Sequence, residues 1–160
     1  MAGLVLTIGA LTWSTGSWYQ GRDGQPFART RLLQIGMGLL ASGIATVALV
    51  VVPSVPTQIA LVGWGVVGLG MGVVFPTLSV LTLELSLPSE QGANSSALQL
   101  CDSLFAAAVL ALGGSLFAAL VLEAPTAAYV ISFSIAVALG LVGILWAPRV
   151  ELREVPSLSP

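Results

Sequence analysis

Asp102 is the residue in this chain best placed to do chemistry. At 100° per residue, Ser95, Gln99, Asp102, Ala106 and Gly113 fall on one narrow helical stripe, with Leu100, Cys101, Leu104 and Phe105 on the opposite side. A carboxyl group with an amide one turn earlier can take up and release a proton or meet a cation. It can also serve only as a polar anchor between helices. The residues around the stripe are almost all apolar. An ionised Asp near the centre of a bilayer costs about 2.5–3.5 kcal/mol on insertion scales, so it needs a partner, a water-filled cavity or protonation. No arginine of this chain is expected at its depth. A second set of residues bears on shape. Gly68 and Gly72 form a GxxxG pair that lets helices approach closely. Pro76, lacking an N–H, removes the hydrogen bond to the carbonyl of Gly72 and is expected to bend its helix as a kink, a hinge or an opening onto a cavity.

Other chemistries are excluded by what the sequence lacks. The chain has no histidine, which removes the usual general base, a Ser-His dyad and an HExxH zinc site. Its one cysteine, Cys101, allows no internal disulfide and no multi-cysteine metal centre, and reads as a packing residue. No enzyme activity, cofactor or metal is expected. There is no basic face to neutralise phosphates, so no nucleic-acid partner is expected either.

The elements that must position Asp102 follow from composition. Charged residues are 8% of 160 and hydrophobic ones 56%, against about 25% charged in a soluble domain. This is the composition of an integral membrane protein, with the lipid bilayer as its first partner. A span needs roughly 20 apolar residues. Five candidates run over about 3–18, 32–52, 58–83, 94–122 and 127–146. "VPSVPT" (52–57), "LPSEQGANS" (87–95) and "LEAPTA" (122–127) separate the last four, because prolines and short polar runs end helices. Residues 1–18 lack the positive start and the cleavage site of a signal peptide and read as a span. The fold class expected is all-α: a polytopic bundle over 1–148 with a tail at 149–160.

All five arginines fall on one side of such a bundle. Arg22, Arg29 and Arg31 lie in the first loop, Arg149 and Arg153 in the tail, and the two opposite loops have none. The positive-inside rule makes that side the cytosol and the chain a multi-pass protein of the cell membrane with an external N-terminus. Trp18 and Trp146 then fall near the cytosolic interface. Hydroxyl residues and glycines concentrate in the first, third and fourth spans, which are expected to face the interior. The second and fifth are expected to face lipid. Glu84, Glu90 and Glu123 read as solvated charges at span ends.

Three segments resemble the major facilitator superfamily, in particular its bacterial drug-efflux proton antiporters. "GLGMGVVFPTLSVLTLE" (68–84) resembles the family's Gly-rich, Pro-bearing antepenultimate helix. "PSEQGANSSALQLCDSLFAAAVLALGG" (88–114) resembles the following loop and penultimate helix. "GSWYQGRDGQPFARTRLLQIG" (16–36) resembles a degenerate copy of the cytosolic loop motif, beginning at Gly16, with Gln20 at the motif's Asp position, Gly21 at its Arg position and Arg22 retained. The resemblance covers about residues 3–148 and corresponds to the last five of twelve or fourteen helices. It implies part of a secondary active transporter exporting small molecules, with protons as coupling ion. It also implies that missing N-terminal helices or a second membrane subunit supply the other wall of the cavity. The alternative is a small non-transporting membrane protein, or a gene remnant, acting only through helix packing with partners.

Overall fold

The computed structural model describes residues 2–22, 24 and 26–150, and these form helices and short connections with no strand among them. α1 spans Ala2–Gln20, α2 Arg29–Ala48, α3 Ile59–Glu84, α4 Gln91–Val121 and α5 Pro125–Trp146; single 3-10 turns, Leu49–Val51 and Ala147–Arg149, extend α2 and α5. Four helices, α2 to α5, are long and apolar enough to cross a membrane, which marks a multi-pass membrane protein. α1 forms over the stretch expected for the first span but is more polar. Its hydroxyls are satisfied within the helix: Thr7, Thr12, Ser14 and Thr15 donate to the carbonyls of Gly3, Ile8, Ala10 and Leu11 at 2.8–3.0 Å. Such internal bonds let hydroxyls sit in apolar surroundings without an outside partner. The tail beyond Val150, including Arg153, lies outside the described residues.

α3 is the axis of the bundle, with α1 on one side and α2 on another; α5 packs on α2, and α4 touches α5 and, less, α3. Glycines explain the central position. On one face of α3, a methyl at Gly72 would run into the Trp13 carbonyl and come 3.0 Å from the Cα of Gly16, and one at Gly68 would run into the Gly9 carbonyl. On another face, Gly63 and Gly70 meet Gly43 and Gly36 of α2 so closely that an added Cβ would lie 2.8–2.9 Å from the facing glycine's carbonyl oxygen. α3 runs parallel to α1 and antiparallel to α2. Lipid is as apolar as leucine, so close van der Waals fit decides which helices associate. Pro76 sits inside α3 without ending it.

The burial pattern differs from the one hydroxyl and glycine content predicts. α2, expected to face lipid, buries Leu32, Leu33, Gly36, Ala41 and Gly43. α4, expected to face the interior, has no buried residue in this chain, and every residue from Gln99 to Leu112 is exposed. Polarity does not report fit: the seven-residue step between Gly36 and Gly43 matches that between Gly63 and Gly70, and α4 meets no such match.

One end of the bundle gathers the charge. There α1, α3 and α5 finish and α2 and α4 begin, and Leu33, Leu81 and Ala147 of three different elements pack together. Among the described residues, Arg22, Arg29, Arg31, Glu84, Glu90 and Arg149 lie at this end, Glu123 lies at the other, and Asp102 lies between.

Candidate functional site

The polar stripe of α4 opens beside a cleft against α3. Gln99 and Asp102, with Leu98, form one wall; Phe75, Leu78 and Ser79 of α3 form the other. The α3 wall flanks Pro76, so the proline turn and the acid lie at the same level. The cleft encloses about 40 Å³, room for two or three waters and for no larger molecule. Ser79 donates to the Phe75 carbonyl at 3.1 Å, and the fully buried Thr77 donates to the Val73 carbonyl at 2.6 Å. Ser103 donates to the carbonyl of Gln99 at 2.9 Å. Asp102 makes no hydrogen bond or ion pair with any described residue. Ser95, one turn before Gln99, is half-buried and stands outside the cleft.

The ends of α4 are fastened and its middle is free. Near its start, the Asn94 amide donates to the Ser86 hydroxyl at 2.8 Å and the Gln91 amide to the Leu83 carbonyl at 3.2 Å, which ties its first turns to the end of α3. Near its far end, Phe117 and Tyr129 of α5 meet edge to face at 5.0 Å. Between these fastenings α4 is exposed on all sides from Gln99 to Leu112, with Gln99 and Asp102 bordering the cleft against α3. Gly113 and Gly114 have open space where the glycines of α3 have a neighbouring backbone.

The remaining sequence candidates separate into two places. Gly68, Gly72 and Gly16 meet in the α1–α3 seam, so Gly16 belongs to a helix interior. Gln20 closes α1 with its side chain buried, among described residues making no hydrogen bond. Arg22 is exposed and lies 4.7 Å over the Trp18 ring, within cation–π range. Among the described residues, the cation paired with a carboxylate on another helix is Arg29, whose Nε and Nη2 donate to Glu84 at 3.3 and 2.9 Å, linking the start of α2 to the end of α3. Sequence reading missed Phe75 and Ser79 as cleft residues, and Ser86, Gln91 and Asn94 as the tie between α3 and α4. Ser79 lies three residues beyond Pro76, and the polar run 87–95 reads as the break before the fourth span.

Compared with known proteins, the chain matches no family model, no curated protein and no solved structure.

Proposed function

We propose that this chain is part of a secondary active transporter that exports small molecules in exchange for protons, with α4 lining the pathway. Asp102 carries the reading: an acid in the middle of a membrane-length helix, open to one side and without a partner among the described residues. Acids at such depth are costly and mark ion or substrate paths. Gln99 stands one turn away and can hydrogen-bond either protonation state. The cleft beside Pro76 supplies water to the carboxyl group, and the proline gives α3 a turn lacking one backbone hydrogen bond, a feature of transporter helices that line cavities.

The same reading counts α1 as a fifth span and sets the arginine end in the cytosol, on the asymmetry of charge between the two ends. It assigns the open face of α4 to further helices, of the same polypeptide or of a second membrane subunit, completing the wall and enclosing a small, amphipathic substrate. Alternating access needs two bundles moving about a shared site, and five helices supply one wall of it. The sequence likeness to the major facilitator superfamily points the same way.

The test is Asp102→Asn in the protein expressed from its complete reading frame, in inverted membrane vesicles. Proton-driven uptake of amphipathic dyes is expected to fall at least tenfold at unchanged expression. Undiminished uptake would leave Asp102 as a polar anchor and the protein as a helix-packing component.

A further inference from the structure

A second cavity lies at the arginine end, and Leu78 of α3 stands between it and the cleft beside Asp102. Leu33 and Met37 of α2, Gly143 and Trp146 of α5, and Ala147 and Arg149 of the terminal 3-10 turn are among its lining, and its volume is about 250 Å³. That is slightly below the roughly 300–1,000 Å³ of pockets for drug-sized ligands, and its walls are apolar except at the rim. At the rim the Arg149 guanidinium lies 5.2 Å over the Trp146 ring. Arg149 is exposed and has no carboxylate partner among the described residues, in contrast with Arg29. Indole rings settle at the headgroup level of a bilayer. The cavity therefore offers an apolar hollow just beneath that level and a fixed positive charge at it.

The geometry points to a binding site for one anionic glycerophospholipid, with part of an acyl chain between α2 and α5 and the phosphate on Arg149. This assignment is independent of the transport reading, since it uses only the membrane placement of α2 and α5. Charge at the rim singles out this cavity. The neighbouring hollow farther along the same two helices, lined by Ala45, Val130 and Phe133, has no ionisable group among its lining residues. A basic pocket between membrane helices selects anionic headgroups.

The experiment is native mass spectrometry of the full chain released from detergent with equal phosphatidylglycerol and phosphatidylcholine. The wild type is expected to retain phosphatidylglycerol preferentially. Arg149→Gln is expected to reduce that preference about five-fold, the factor equivalent to about 1 kcal/mol per basic residue near an anionic surface. Arg31→Gln, an exposed arginine at the same end and outside the cavity, is the control and should change nothing. Glycerol phosphate, which has the headgroup and no chain, should fail to displace the lipid. An unchanged lipid ratio in Arg149→Gln would overturn the assignment. So would an equal loss in Arg31→Gln, or displacement by glycerol phosphate. Helix content by circular dichroism confirms that each variant is folded, and quenching by bromine-labelled phosphatidylglycerol in a variant with Trp13, Trp18 and Trp64 replaced by Phe, leaving Trp146 as the emitter, gives a second reading of the same site.

Discussion

α3 and α4 are neighbours in the chain, both long and apolar and both rich in small residues, yet they sit in opposite circumstances. In its most apolar stretch α3 has 39% of its residues buried and α4 has none. Hydropathy cannot account for this, because α4 is the more apolar of the two by that measure. The difference lies in complementarity. Each glycine face of α3 meets glycines at matching height on α1 or α2, whereas Gly113 and Gly114 of α4 face open space. Inside a membrane a small residue stabilises association only where another backbone comes down onto it.

The largest expected effect sharpens that contrast. Gly72→Leu must force α1 away from α3 and is expected to cost about 3 kcal/mol, whereas Gly113→Leu should stay within about 0.5 kcal/mol. Unfolding in mixed detergent and dodecyl sulfate micelles, followed by circular dichroism, measures both. Equal losses would break the comparison and place α4 in a packed seam of its own.

Helix limits were legible in the sequence, and helix neighbours were not. Prolines at 53 and 56, the polar run 87–95 and Pro125 set limits within a few residues of those observed, because a missing N–H or a competing side chain acts on the local backbone. The pairing of Gly36 with Gly70 depends on two segments fitting each other, and neither segment alone carries that information. The same holds at the candidate site. The stripe through Gln99 and Asp102 was readable from helical spacing. The opposing wall of Phe75 and Ser79 required the register between α3 and α4, and that register is set by the Asn94–Ser86 tie.

A smaller effect tests this tie. Asn94→Ala removes one hydrogen bond at the root of α4 and is expected to cost about 1 kcal/mol. Hydrogen exchange should then quicken in the first turns of α4 and stay unchanged in α3. Quickening in both would mean that the two helices open together, against the contrast drawn between them.

The smallest expected effect is at the Arg29–Glu84 pair. Its side chains are 32% and 39% exposed, so solvent screens the attraction, and Glu84→Gln should cost less than about 1 kcal/mol. The loss should shrink as salt is raised. A loss larger than that of Asn94→Ala, falling away at high salt, would show that α2 and α3 are joined by charge more than by the glycine seam.

The seam between α2 and α3 also constrains movement. Gly36 faces Gly70 and Gly43 faces Gly63, two rungs seven residues apart on each helix. A slip of one turn would set Gly36 against Val66 or Val74, and the helices would have to separate to pass. The next register in which a glycine again faces a glycine lies a full seven residues away, about 10 Å along the axis. The pair is thus a ladder with one stop: α2 and α3 cannot creep past each other and must travel as a single strut. α4, tied near its two ends and without rungs in its middle, stands outside that strut.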